Sequence, residues 1–190
     1  KKKESKINAL LSNNSKFIGC RIPNHPITNK LLQELPFPIA APSANLSTKL
    51  SSTKIKHLSQ KLISNVYILD GGESYYGLES TVIDISNEKK RILRLGTVTY
   101  EQIKKIIPNI VIENKSSNLS PGQQNKHYSP NLPIRINVKE VHDNEVLLNF
   151  GKNNLKSKIL QLNLSPSGNL NEAGKNFYDY LHVLDRTTNC

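Results

Sequence analysis

Residues 38–47 read Pro38-Ile39-Ala40-Ala41-Pro42-Ser43-Ala44-Asn45-Leu46-Ser47, a short apolar run that breaks into hydroxyl and amide side chains. The apolar half has the pattern of a buried strand. The second half sets compact hydrogen-bonding groups at the strand's exit. Ser43 can donate and accept, and the Asn45 amide does both at fixed geometry. Small neighbours let a ligand approach the backbone. Ser, Asn and Pro are also common turn residues, so an ordinary strand-to-loop turn accounts for the stretch too, and its surroundings decide between the two.

Upstream, residues 1–12 read as a basic helix with Ile7, Leu10 and Leu11 on its apolar side, and residues 16–22 as a strand burying Phe17, Ile18 and Cys20. Arg21-Ile22-Pro23-Asn24-His25-Pro26 follows. Pro23 and Pro26 stiffen this loop and forbid helix through it. Arg21 stands just before the rigid turn, where a guanidinium can meet a carboxylate or phosphate bidentately; a surface arginine at a strand end is the alternative. Residues 27–35 form a short amphipathic helix closed by Pro36.

Downstream, Ser51-Ser52-Thr53 offers N-cap hydroxyls for a helix over 54–63. Residues 66–69 read as a strand ending in the tight turn Asp70-Gly71-Gly72. Gly77-Leu78-Glu79-Ser80-Thr81-Val82-Ile83-Asp84-Ile85 is a glycine, a polar triplet and an alternating strand. A basic turn, Lys89-Lys90-Arg91, precedes Ile92-Leu93-Arg94-Leu95-Gly96. Thr99 caps a helix carrying Ile103, Ile106 and Ile107 and stopped by Pro108, and 110–112 closes as a strand.

Residues 114–131 have almost no apolar content and read as a linker. It ends in Lys126-His127-Tyr128-Ser129-Pro130. Beyond it, 134–138, 146–150 and 159–162 read as strands, and 171–184 as a helix with Ala173, Phe177, Tyr180, Leu181 and Leu184 on one face. Strands separated by helices make the chain α/β. Three parts are expected: a first domain over 1–113, the linker over 114–131 and a partial second domain over 132–190.

The 190 residues suffice for one sizeable core and a small second unit. Lys plus Arg is 26 against 15 Asp plus Glu, a net charge of +11 that favours anionic partners such as nucleotide, nucleic acid or an acidic surface. Cys20 and Cys190 have no partner spacing for zinc or a disulfide framework, so a reducing cytoplasm is expected. No apolar run approaches membrane-spanning length, and no membrane partner is expected. There is no Gly-x-x-x-x-Gly-Lys loop and no dinucleotide fingerprint, so any ATP phosphates are held by other means. No metal-ligand set is evident. A start on Lys1, the absence of Met and an end on Cys190 are what a piece of a longer protein would show.

Four segments stand in one order: Arg-x-Pro-x-His-Pro, Ala-Pro-Ser-Ala-Asn-x-Ser, Asp-Gly-Gly…Gly-Leu-Glu-Ser-Thr-Val-Ile-Asp and Ile-Leu-Arg-x-Gly. The Ser-Pro-Gly…Lys-His-Tyr-Ser-Pro linker follows them. Over about residues 16–130 this order resembles the YrdC-type threonylcarbamoyl-AMP synthase family in its long two-domain form. The resemblance implies a twisted YrdC-like α/β domain with a basic concave cavity, followed by a Rossmann-like domain. It implies that L-threonine, bicarbonate and ATP, carried with Mg²⁺, give threonylcarbamoyl-adenylate and pyrophosphate, and that the product passes to the tRNA threonylcarbamoyl-transfer machinery.

Carried over by motif, Arg21 binds the threonine carboxylate, Ala41 lies along the threonine with its backbone, and Ser80 sits at the same substrate. Ser43 and Ser51 contact ATP, Asn45 shapes that loop, Arg94 meets nucleotide phosphate, and Tyr128 folds back over the nucleotide. The alternatives are that Ser43 and Ser80 satisfy backbone groups at strand ends, that Arg94 makes a surface ion pair, and that Tyr128 packs on the core. The sequence departs from the family pattern at Thr48, where the family has Gly, at Ser52 and Leu95, where it has Pro, and at Gln123-Gln124-Asn125. A glycine at 48 would permit a positive φ. The family's opening segment and the end of its second domain are not represented, and this chain alone is expected to be inactive. Two other readings compete: a basic module binding RNA, double-stranded RNA included, and carbamoyl transfer to another acceptor.

Overall fold

The computed structural model describes residues 9–12, 16–113 and 128–187. Residues 1–8, most of the linker (114–127) and Cys190 lie outside the described residues. Of the expected basic helix only the 3-10 turn Ala9–Ser12 is described.

The first sheet has three strands in the order β1 (Val82–Asp84), β2 (Arg91–Arg94), β3 (Val111–Ile112). β1 and β2 are antiparallel, with Asp84 opposite Arg91 and a bulge between Val82 and Ile83. β3 runs parallel to β2, and the crossover between them carries α3 (Tyr100–Ile106). Thr99 starts this helix with a reciprocal capping box. Its hydroxyl accepts from the Gln102 N–H at 3.3 Å, and the Gln102 side chain accepts from the Thr99 N–H at 2.9 Å. The helix sets Ile103 against Ile92 and Ile110, with Ile83, Tyr100 and Ile107 packed around them. Each such buried side chain contributes about 1.5–3 kcal/mol. Arg91 ties the three strands together, meeting Asp84 at 2.6 Å and Glu113 at 2.6 Å.

The second sheet pairs β4 (Leu147–Asn149) with β5 (Gln161–Asn163) in parallel. α4 (Leu170–Leu184) begins at Asn169, whose carboxamide oxygen accepts from the N–H groups of Asn171 and Glu172. It packs on β4. Of the face expected from the sequence, Ala173 and Leu184 are buried, while Phe177, Tyr180 and Leu181 are half-buried; Tyr178 is buried as well.

Other elements differ from expectation in instructive ways. α1 is Pro26–Gln33, with the His25 ring accepting from the Thr28 N–H at its start. The expected helix over 54–63 is two pieces, the 3-10 turn Ile55–His57 and α2 (Gln60–Ile63). Leu58 and Ser59 between them are extended, and Ser59 caps the second piece with its own hydroxyl. The runs 16–22, 38–42, 66–69 and 134–138 are not strands. A strand exists through a partner's hydrogen bonds, and among the described residues no strand pairs with any of these runs. Pro38 and Pro42 also lack an N–H to offer. Of the residues expected to be buried in these runs, Cys20 and Ile39 are exposed, and Phe17 and Ile18 are only half-buried.

Candidate functional site

A cleft of about 190 Å³ is lined by Ser43, Ala44, Asn45, residues 51–53, Ser74, residues 77–79 and Tyr178. One wall is the loop after residue 42. Asn45 closes it by donating from its amide to the Leu46 carbonyl at 3.2 Å and the Lys49 carbonyl at 2.8 Å. The other end of that amide, Oδ1, is buried and has no hydrogen-bond partner among the described residues. A buried acceptor left unsatisfied costs about 1–3 kcal/mol, so this oxygen is a marked point in the wall. At the loop's end Thr48 has φ +70°, the left-handed conformation that the family's glycine would take without strain. The Ser129 N–H donates to the Thr48 carbonyl at 2.9 Å, and Lys49 Nζ donates to Asn131 Oδ1 at 2.5 Å. These contacts draw the end of the linker back onto the loop.

The floor is built on Glu79. One carboxylate oxygen accepts from the Ser51 hydroxyl and the other from the Tyr178 phenol at 2.9 Å. Burial pushes the Tyr178 phenol well above its ordinary value, and the Glu79 charge pushes it the same way. The phenol therefore stays protonated and donates. Gly96 makes the neighbouring chain crossing possible, since a Cβ there would meet the Glu79 carbonyl at 2.2 Å.

Beside the floor, at the end of β2, Arg94 donates from Nε and Nη2 to the Ser80 carbonyl at 3.1 and 3.0 Å. Its Nη1 donates to the Tyr128 hydroxyl at 3.0 Å. Burial raises the Tyr128 pKa, and Arg94 opposes the rise. The Tyr128 ring centroid lies 6.1 Å from that of Tyr178. Hydroxyls, a buried amide oxygen and a guanidinium are thus gathered in one place. The hydroxyl and guanidinium donors suit the acceptor oxygens of an anionic ligand, while the amide oxygen, itself an acceptor, takes a donor group.

Of the residues singled out in the sequence, Ser43, Asn45 and Ser51 line the cleft, and Ser80, Arg94 and Tyr128 form the hydrogen-bonded group next to it. Arg21 and Ala41 are exposed and do not line the cleft, and among the described residues Arg21 makes no hydrogen bond or ion pair. Sequence reasoning missed Glu79 and Tyr178 as site residues. Glu79 stood inside a quoted motif without a role. Tyr178 and His182, four apart on α4, form a polar stripe that helical spacing could have shown.

The family model for Sua5, YciO and YrdC proteins, described as telomere recombination, matches residues 1–96. That for the threonylcarbamoyl-AMP synthase C-terminal domain matches residues 98–190. The chain is 39% identical over 125 residues to a threonylcarbamoyl-AMP synthase of Bacillus subtilis (strain 168), covering 63% of this chain and 36% of that protein. It is 36% identical over 126 residues to one of Pyrococcus abyssi, covering 63% and 37% respectively. The chain therefore aligns with little more than a third of the length of these relatives. The crystal structure of P. abyssi Sua5 complexed with L-threonine superposes with a TM-score of 0.74 at 26% identity, covering 96% of this chain and 60% of that one. The likeness establishes the α/β architecture as that of Sua5 proteins.

Proposed function

The chain belongs to the Sua5–YciO–YrdC family, and from that premise we propose that the whole protein is an L-threonylcarbamoyladenylate synthase. L-Threonine and bicarbonate supply a carbamate whose carboxylate attacks the α-phosphate of ATP. Threonylcarbamoyl-AMP forms and pyrophosphate leaves. Two anions must meet in this step, so fixed positive charge and hydroxyl donors lower the barrier by holding them in line.

One observation carries the reading: Arg94 joins the Ser80 carbonyl to the Tyr128 hydroxyl beside the hydroxyl-lined cleft. The residue assigned to threonine, the one assigned to phosphate and the one assigned to covering the nucleotide are thus in a single hydrogen-bonded group. In this reading ATP lies along Ser43, Asn45 and Ser51, and its phosphates reach Arg94. Mg²⁺ comes with those phosphates. Arg21 and Ala41, exposed and outside the cleft lining, are assigned to the threonine by the motif match alone. The structural relative from P. abyssi was crystallised with L-threonine, which supports the amino-acid half. The product passes in the cytoplasm to the machinery that modifies tRNA, and the net charge of +11 supports direct RNA contact during that transfer.

The test is pyrophosphate release from ATP by the whole protein, together with titration of ATP into this chain. The reading expects release that needs both threonine and bicarbonate, and ATP binding that weakens about tenfold on Arg94→Ala, as for loss of a charge-assisted hydrogen bond. Release indifferent to threonine, or unaltered ATP affinity in that variant, would overturn it.

A further inference from the structure

We propose that α4, an element of the second unit, positions the candidate nucleotide cleft, with Tyr178 acting through Glu79 on Ser51. The identity of the ligand rests on the synthase reading; the positioning rests on the geometry alone.

Tyr178, Asp179, His182 and Arg186 recur at the spacing of one helical side, Arg186 lying just past the helix end. Three of them grip residues 51–57 directly, and Tyr178 reaches Ser51 through Glu79. Tyr178 donates to Glu79, which accepts from the Ser51 hydroxyl. His182 Nε2 bonds the Ser51 carbonyl at 3.0 Å. Asp179 meets Lys54 at 2.8 Å, Lys56 at 3.2 Å and His57 at 3.0 Å. Arg186 donates to the Lys56 carbonyl at 3.1 Å. Ser51 is therefore held at both its backbone and its side chain by one helix that the family comparison assigns to a different domain.

The seat is tight. A Cβ at Gly77 would meet the carbonyl oxygens of Gly174 and Lys175 at 2.4 and 2.5 Å, so the backbone of α4 rests directly on the loop that leads to Glu79. Glu79 is half-buried, and its two oxygens are divided between Ser51 and Tyr178. Removing the phenolic donor leaves a half-buried carboxylate with one partner, free to turn and release the Ser51 hydroxyl from the cleft wall. Tyr178 is thus a positioning residue rather than a catalytic one.

The test uses the full chain and three variants: Tyr178→Phe, Ser51→Ala and the double variant, with Tyr180→Phe on the same helix as control. Amide exchange over residues 43–53 is measured without ligand, and ATP affinity by calorimetry. Tyr178→Phe is expected to speed exchange there and to weaken ATP about tenfold, while Tyr180→Phe changes neither. The Tyr178→Phe and Ser51→Ala losses are expected to be non-additive in the double variant, because they break one chain of contacts. Should Tyr178→Phe fail to fold, Glu79→Leu removes both acceptors of the same chain at similar volume and is read the same way. Unchanged exchange, or strictly additive losses, overturns the inference and leaves the synthase reading intact. Faster exchange in a chain whose unaltered form binds no ATP supports the positioning and overturns the synthase reading.

Discussion

The imidazole of His182 lies over that of His57, with ring centroids 4.0 Å apart and planes 19° from parallel. His57 Nδ1 accepts from the Thr53 N–H at 3.2 Å, so its proton sits on Nε2 and is donated to Asp179 at 3.0 Å. Burial, and then the charge His182 would carry, push His57 down to about 4. Burial lowers His182 as well, with Arg186 adding to the effect and Asp185 and Asp179 opposing it. The stack is a neutral pair across the seam between α4 and the 51–57 segment, set among Lys54, Lys56, Asp179, Asp185 and Arg186.

That pair makes the chain less stable in mild acid. An unfolded histidine takes up its proton near pH 6.5, while folded His57 does so only near 4. Between these values the unfolded chain holds more protons, so the contribution is fully present above about pH 6.5 and is lost as pH falls towards 4, at most about 3 kcal/mol. Lys54 and Lys56 hold the Asp179 carboxyl at about 2 against the opposing effect of burial, so its own loss comes at lower pH. The thermal midpoint is expected to drop from pH 7 to pH 5. His182→Gln, which keeps a donor to Ser51, should shrink that drop; an equal drop in the variant would count against the stacked pair as its source.

Thr48 carries a strain that its side chain creates. A β-branched residue at φ +70° costs about 1–2 kcal/mol in the left-handed region. Thr48→Gly relieves it, at some cost in unfolded-chain entropy. The variant is expected to gain about 0.5–1 kcal/mol in denaturant unfolding, with no change in the slope of the transition. A loss of stability would show that the Thr48 side chain contributes more than its backbone costs.

Gly77 and Gly72 separate backbone strain from steric contact. Both have positive φ, +72° and +78°, but a Cβ at Gly72 meets nothing within 4 Å whereas one at Gly77 meets α4. Gly72→Ala is therefore expected to cost about 1–2 kcal/mol. Gly77→Ala should cost clearly more and should also expose Tyr178, read as a red-shift in tyrosine absorbance on alkaline titration at lower pH than in the unaltered chain. Equal costs at the two positions would mean that α4 yields easily.

Asp84 links the first sheet to acid stability. Its carboxylate accepts from the Ser86 hydroxyl at 2.6 Å and backbone N–H at 2.9 Å, as well as from Arg91. The Ser86 hydroxyl first, and Arg91 after it, hold the Asp84 pKa at about 2 against burial. A depressed carboxylate stabilises above its unfolded pKa of 3.8 and loses that contribution as pH falls towards 2. Ser86→Ala is expected to cost about 1 kcal/mol at pH 7, and much less at pH 2. A cost that does not vary with pH would place the Ser86 contribution elsewhere.

The sequence was most legible where structure is local. Thr99 and Pro108 bracket α3, because capping is chemistry between residues two or three apart, and the same local rule, not applied to them, governs Gln102 and Asn169. The runs around Phe17, Ile39 and Ile68 were misread because apolar composition reports a wish to be buried, while strand formation needs a partner at a distance. Candidates on recognisable motifs could be named in advance, and the fold sets Ser43 in the cleft lining and Arg94 against Ser80 and Tyr128. Tyr178 could not, because its hydrogen bond to Glu79 joins residues far apart in the chain, a tertiary fact with only a faint helical stripe to announce it. Thr48 lay between these cases: its departure from glycine was visible, and the positive φ needed the fold to reveal it.

The contact of Gly77 with the backbone of α4 constrains how this gene can change. Exchange of C-terminal halves among relatives will preserve the site only when residue 77, Glu79 and the helix bearing Gly174 and Tyr178 come from compatible parents. A recombination breakpoint in the polar linker, which composition alone would choose, splits that set. The two halves are joined in inheritance by a few atoms of backbone contact rather than by the length of chain between them.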